Sequence, residues 1–321
     1  MNIKNLIFIC LIVFMTGIIS AKEASQKTVL ITGASTGIGR LTAEILAKEG
    51  YLVYAGARKQ KDIDSLNKIP NVQGIKLDVT VQAEVDAAVE TINKAGLGLY
   101  GLVNNAGVGS GGPLIDVDEA DIRWLFDVNV FGVIKVTQAF APLIIESQGR
   151  IVTIGSISGV GTWFGGGDYT MSKHAIEAFS ETLALEMAGF DVKVSVIQPG
   201  NYNSEIVKTS LSRHGELTEK QKKSVYADYY KDRLKRTGDR SKYKEPDEVV
   251  TAVKHALFDL KPRLRYMVVP DREEAKWTIA STIARVAQRN ENQEHAFSRK
   301  ELIEMLDKAI AKENGTKPAE N

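Results

Sequence analysis

Cysteine is almost missing from this chain. Among 321 residues the only thiol is Cys10, in the N-terminal segment. No disulfide framework, thiolate zinc site or cysteine nucleophile can therefore operate in the body. Charge of one sign is also lacking: 41 basic residues face 40 acidic ones, a net charge of +1. A dedicated nucleic-acid binder carries a basic surplus, so that class is excluded and no nucleic-acid partner is expected. The sequence contains no internal repeat and no low-complexity block. One uncharged, mostly apolar run stands at the N-terminus, Leu6 to Ile19.

What is present is an ordinary globular composition, 44% hydrophobic and 25% charged, long enough for one large core. Residues 1–21 form a segment of their own. Lys4 supplies a positive start, the apolar run follows, and Ser20-Ala21 offers small residues for cleavage. This reads as a secretory signal peptide or an uncleaved N-terminal membrane anchor. Either reading implies a secretory or membrane-associated protein, with membrane association through residues 1–21; a cytoplasm-facing body stays compatible with the anchor. Residues 25–312 read as one domain and 313–321 as a polar tail, with the sequon Asn314-Gly315-Thr316 at its start.

From Thr28 onward, strand and helix signals alternate. Val29-Leu30-Ile31 is β-branched or apolar, and Gly33, Gly37 and Gly39 follow before a helical stretch over Arg40–Glu49. Strand, glycine turn, helix is the context in which backbone N–H groups cradle a pyrophosphate. Ser35, Thr36 and Ile38 lie within that turn. A second strand, Tyr51–Ala57, ends in Arg58 with no acidic residue beside it. An acid there would bind a ribose 2′-hydroxyl; a guanidinium suits a 2′-phosphate. The third strand, Val72–Leu77, ends in Asp78-Val79, where Asp78 either meets an adenine edge or caps the next helix. The fourth, Leu99–Val103, ends in Asn104-Asn105-Ala106-Gly107. The pattern over Asp116–Pro142 is helical and contains Asn129, which taken alone reads as a satisfied buried amide.

The stretch Ile151 to Lys173 carries the chemistry. Ile151–Ile154 is a buried strand by composition. Ser156 follows its C-terminal end, where ligands bind in open α/β sheets. Gly165-Gly166-Gly167 reads as a flexible approach and Met171–Ala188 as helical by composition; Tyr169 and Lys173 stand four residues apart at that helix start, hence on one face. A phenol titrates near pH 10, and an ammonium one turn away favours the phenolate. With a serine hydroxyl facing them, the pair can move a proton on and off an alcohol or carbonyl oxygen. Each element alone also has a plain structural reading, a helix pair and a strand-end cap. Val192–Ile197 is a sixth strand, followed by Pro199-Gly200. Asn201–Glu245 breaks the alternation and is rich in Lys, Arg and Tyr. It reads as a substrate lid of short amphipathic helices, with a lipid-facing basic surface or a solvated insertion as alternatives. Glu245-Pro246-Asp247 starts a helix with Pro at its first position, Arg265–Val269 is a seventh strand, and Ser298-Arg-Lys-Glu301 is a capping box that opens a last helix.

Taken together, the motifs resemble the short-chain dehydrogenase/reductase family over about residues 27–270. T-G-x-x-x-G-I-G falls on Thr32 to Gly39, N-N-A-G on Asn104 to Gly107, and P-G on Pro199-Gly200. The family's catalytic four fall on Asn129, Ser156, Tyr169 and Lys173. The resemblance implies a single Rossmann-like doubly wound α/β domain with a seven-stranded, mostly parallel sheet. It implies an enzyme that binds NADP(H) in preference to NAD(H) and interconverts an alcohol and a ketone or aldehyde. Gly33, Ser35, Thr36, Gly37, Ile38, Gly39, Arg58, Asp78, Val79, Asn105, Ala106, Gly107, Tyr169, Lys173, Pro199 and Gly200 would hold the cofactor. Asn129 would hold a water that relays the proton. No metal is expected. The long region after Pro199-Gly200 is similar to that of members acting on steroids, retinoids or lipids, and related enzymes form homodimers or homotetramers. A non-catalytic NADP-binding sensor or scaffold is the competing class; it would need none of the four catalytic residues.

Overall fold

The computed structural model describes residues 26–212 and 216–316. The expected signal or anchor segment at 1–21, with Cys10, and the end of the tail, 317–321, lie outside the described residues. The chain divides into two compact units that meet in sequence at Pro270 and Asp271.

The first unit is built on seven strands: β1 (Thr28–Ile31), β2 (Leu52–Ala57), β3 (Val72–Lys76), β4 (Gly101–Asn104), β5 (Arg150–Ile154), β6 (Lys193–Pro199) and β7 (Arg265–Val268). Their order is β3-β2-β1-β4-β5-β6-β7 and every pairing is parallel. Parallel strands need covering on both faces, so they read as unbroken apolar runs. Successive residues then point to opposite layers. Val29 and Ile31 pack with α1 (Gly37–Lys48), α2 (Gln60–Leu66) and α10 (Asp247–Phe258). Leu30 points the other way, to the core shared by α3 (Gln82–Ala95) and α5 (Gly132–Glu146). The chain reverses its direction of sheet growth between β1 and β4. At such a reversal the connections leave in opposite directions and open a crevice beyond the strand ends.

Three expected boundaries need correction. The helix anticipated over Asp116–Pro142 begins only at Glu119: α4 (Glu119–Phe126) and α5 are joined by a π-helical turn, Asp127–Phe131. The run continues past Pro142, which stays inside the helix, to Glu146. This run is apolar and long enough to cross a membrane by composition alone, but Val136, Phe140 and Ile144 are buried against the sheet. Pro246 stands one residue before α10, in the capping position. Three further helices follow Pro199-Gly200: α7 (Ile206–Ser212), α8 (Glu219–Lys223) and α9 (Ala227–Leu234). Helix α6 (Gly167–Met187) starts four residues earlier than its composition suggested.

The second unit holds α11 (Arg272–Asn290), which the sequence reading did not anticipate, and α12 (Arg299–Asn314). Asp271 caps α11 by accepting from the backbone N–H groups of Glu273 and Glu274, both at 2.9 Å. The Ser298 capping box is formed: Glu301 N–H donates to Ser298 Oγ at 3.3 Å, and Ser298 N–H donates to Glu301 Oε2 at 2.7 Å.

Candidate active site

The crevice at the strand reversal is assembled from two loops tied to each other. Gly33, just past β1, has φ +64°, and a Cβ there would lie 2.8 Å from Ala106 Cα in the loop after β4. Only glycine meets both conditions. Thr32 Oγ1 accepts from the N–H groups of Asn105 and Ala106, each at 3.0 Å. The Asn105 amide donates to Thr32 O at 2.9 Å and Gly33 O at 3.0 Å. Asn105 is thus a brace between the two loops as well as a wall of the crevice.

The crevice encloses about 240 Å³ and is lined by Gly33, Ser35, Thr36, Gly37, Ile38, Arg58, Asp78, Val79, Asn105, Ala106, Gly107, Ser156, Tyr169, Lys173 and Pro199. Three expected residues do not line it. Gly39 lies behind the turn, where a Cβ would sit 2.7 Å from Gly33 O. Gly200 continues the sheet edge, its N–H donating to Val268 O at 2.8 Å. Asn129 is buried in the π-helical turn, and its amide is used within the protein. Its Oδ1 accepts from Val108 N–H at 2.8 Å; its Nδ2 donates to Val108 O at 3.0 Å and Ser172 Oγ at 3.2 Å. It fixes the loop after β4 against α6, the satisfied buried amide that its position alone suggested. A single π turn of this kind recurs at functional sites.

Asp78 makes a local turn, Thr80 N–H and Oγ1 both donating to its Oδ1 at 2.9 and 2.7 Å. It does not cap α3, where the capping position is Val81. Ser204, Glu205, Ile206 and Thr209 also line the crevice and were not anticipated. The signal available for Ser204 was its place four residues after Gly200; a hydroxyl there approaches the glycine turn, with Ser204 Cβ 3.9 Å from a Cβ built at Gly37.

The residues fit a dinucleotide. Helix α1 begins at Gly37 with no side chain capping it and no acidic residue in its first turn. Its free N–H groups and positive dipole end therefore face the crevice unopposed, the arrangement that binds a pyrophosphate.

At the other end of the crevice, Ser156, Tyr169 and Lys173 come together. Ser156 follows β5 and accepts from Ser158 N–H at 3.1 Å. Its hydroxyl donates to Ser158 Oγ at 3.0 Å, and Tyr169 lines the crevice with it. Lys173 is buried and donates from Nζ to Ile154 O at 2.9 Å, 5.7 Å from the Tyr169 ring centroid. Burial pushes the Tyr169 phenol up to about 12, against the opposing pull of the Ser156 side chain and the Arg240 guanidinium. Burial also pushes the Lys173 ammonium down to about 8, opposed by the Glu177 carboxylate. The i, i+4 spacing implies a lowered phenol, but here removal from water outweighs the neighbouring charges and the phenol is raised.

A second recess of about 230 Å³ opens beside this end. Gly112, Pro113, Leu114, Ile115, Trp163, Phe164 and Tyr226 form most of its wall. The two loops that frame it are joined by Gly112 N–H donating to Gly165 O at 2.8 Å. Phe164 meets Tyr226 and Tyr229 edge to face at 5.5 and 5.4 Å. Trp163 stands 6.2 Å from Tyr169, centroid to centroid, and so adjoins both spaces. Arg233 on α9 holds the lid, donating to Gly111 O and, at 3.0 Å, to Ser210 Oγ.

Comparison with known proteins agrees with this geometry. The family model for short chain dehydrogenases matches residues 27–215. The chain is 34% identical over 254 residues to retinol dehydrogenase 16 of Rattus norvegicus, covering 75% of this chain and 80% of that protein. It is 34% identical over 268 residues to mitochondrial D-beta-hydroxybutyrate dehydrogenase of Mus musculus, covering 77% and 78%. A solved metagenomic short-chain oxidoreductase in complex with NADP superposes with a TM-score of 0.60 at 25% identity, over 77% of this chain and 99% of that one. With the doubly wound sheet, the glycine turn at its reversal and the matched family model in agreement, this chain belongs to the short-chain dehydrogenase/reductase family of oxidoreductases.

Proposed function

We propose that this protein is an NADP(H)-dependent enzyme that interconverts a secondary alcohol with a ketone, or an alcohol with an aldehyde, on a lipid-like substrate. The observation that carries this reading is that Tyr169, Lys173 and Ser156, just past the end of β5, line the same crevice as the uncapped start of α1. Tyr169 is the general acid/base; Ser156 orients the substrate oxygen and stabilises charge that develops on it. Lys173 binds the cofactor's nicotinamide ribose and supplies positive charge beside the phenol. Asn129 supports the proton relay by fixing the loop at Val108. The bound cofactor supplies the hydride; the protein sets distance, orientation and electrostatics.

Preference for the phosphorylated cofactor rests on Arg58, which lines the crevice at the end of β2 with no acidic side chain beside it. The apolar recess beside Tyr169 supports a lipid-like substrate, as does the retinol dehydrogenase among the relatives. Residues 1–21 are proposed to target the protein to a secretory or membrane location. Exposed Phe131, Met171 and Leu185 on the helices of one layer support self-association.

The test is Tyr169→Phe in the purified protein, with reduced-nicotinamide fluorescence for binding and a screen of apolar alcohols and ketones for turnover. Loss of turnover with cofactor binding intact is expected. Undiminished turnover removes Tyr169 from its role. A wild-type protein that binds NADPH yet turns over none of these compounds supports the non-catalytic sensor instead.

A further inference from the structure

Four residues beyond Lys173 on α6, Glu177 is buried, 7% exposed. Its Oε2 accepts from Arg265 Nε at 2.9 Å. Its Oε1 is buried and has no hydrogen-bond partner among the described residues. That oxygen lies 3.1 Å from the Cβ positions that Gly155 and Gly159 would have. The two glycines on either side of Ser156 thus leave the room that the carboxylate occupies. A Cβ at Gly159 would also come within 2.9 Å of Glu177 Cγ and 3.0 Å of Lys173 O.

A carboxylate is not needed here to satisfy Arg265. Glu181, one turn further along and exposed, already pairs with it at the surface. Burying a second carboxylate with one oxygen unbonded is unfavourable unless another buried charge compensates it. The buried charge one turn back is the Lys173 ammonium, whose Nζ is bound to Ile154 O, the carbonyl just before Gly155. The other charged or titratable groups on the elements packed here are Asp168, Tyr169, His174, Glu181 and Glu186 on the helix itself, Arg265 on β7, Lys193 on β6, and Glu119, Asp121, Arg123 and Asp127 on α4 and its π turn.

We propose that Glu177, anchored by Arg265, is a positioning residue whose buried negative charge keeps the Lys173 ammonium charged and in place behind Tyr169. The inference deepens the catalytic reading above and rests on it for its functional meaning. It accounts for a buried carboxylate, its half-satisfied state and the paired glycines around Ser156. It also gives Arg265, on the last strand, a part in the site.

The test is a ¹⁵N NMR titration of lysine Nζ in the full chain, with the Lys173 signal identified by its loss in Lys173→Met. No substrate is needed, so failure of the catalytic reading, judged by Tyr169→Phe, is separable from failure here. In Glu177→Gln the Lys173 midpoint moves to lower pH by about one pH unit or more, and Glu177→Asp restores most of it. In Arg265→Gln the midpoint moves upward, because Glu177 then acts on Lys173 without its counter-charge. Arg265 is itself over a third exposed, so its direct effect on Lys173 is screened. An unchanged midpoint in Glu177→Gln, or movement in the same direction in both variants, overturns the proposal. If Glu177→Gln does not fold, Arg265→Gln decides alone: an upward move supports the proposal, and none or a downward move overturns it.

Discussion

Replacing Lys173 by methionine should abolish turnover yet make the protein less costly to fold at neutral pH. The side chain keeps its length and loses its charge. Lys173 is 6% exposed, and burial, net of the opposing pull of the Glu177 carboxylate, holds its ammonium at about 8 against an ordinary 10.5. A folded-state value below the unfolded one means that the folded protein binds fewer protons between pH 8 and 10.5. Wild-type stability therefore rises with pH through that window, and the burial cost is fully present below it. The interval corresponds to about 3 kcal/mol at about 1.4 kcal/mol per pH unit. Against this, the variant loses the bond to Ile154 O, a loss of about 1–2 kcal/mol. The net expectation at neutral pH is a gain of about 1–2 kcal/mol. Tyr169 does not confuse the window: its raised value favours the folded state below pH 10, and that contribution is lost only from 10 to about 12. Urea unfolding of both proteins from about pH 7 to about pH 10 measures the difference. The advantage of Lys173→Met should shrink steadily above pH 8. A difference that is constant with pH, or that grows, would refute the claim that Lys173 is buried at a cost to stability.

Other perturbations test the remaining parts of the site. Arg58→Glu should weaken NADPH binding roughly 10- to 100-fold, the worth of a lost guanidinium–phosphate pair, with NADH binding changed little; fluorescence titration with both cofactors decides it. Gly33→Ala should abolish binding of either cofactor and lower stability by about 1–3 kcal/mol, because φ is +64° and Ala106 Cα lies 2.8 Å from the new Cβ; binding and thermal unfolding are the readouts. In a series of 2-alkanols, kcat/KM should rise about fourfold per added methylene in the wild type and flatten in Trp163→Ala, which opens the recess wall; an unchanged slope would move the apolar site elsewhere. Arg233→Met should raise KM several-fold and leave cofactor affinity intact, since the lid loses its tie to Gly111 and Ser210 while the crevice keeps its walls.

Much of this was legible in the sequence because backbone demands leave local marks. The strands of a parallel sheet are buried on both faces, so Thr28–Ile31 and Ile151–Ile154 stand out as apolar runs. Gly33 and the turn around it sit where chain geometry allows little else. Tyr169 and Lys173 needed only helical spacing to be placed on one face. What escaped depended on contacts distant in sequence or on the balance of burial against charge. Nothing near Asn129 shows that its amide is consumed by Val108, 21 residues earlier. The start of α6 is not legible because Gly165-Gly166-Gly167 reads as a loop, whereas Gly167 is held within the helix, against Leu114. Spacing alone implies that Lys173 lowers the phenol. The structure adds the desolvation that pushes Tyr169 up and Lys173 down together, and a sequence carries no direct measure of desolvation. Glu177 illustrates the same limit: in sequence it is one acidic residue on a helix, and its significance comes from Arg265, 88 residues away. Helical spacing finds the residues that share a face; only the packed structure shows which of their charges are removed from water, and that decides how they titrate.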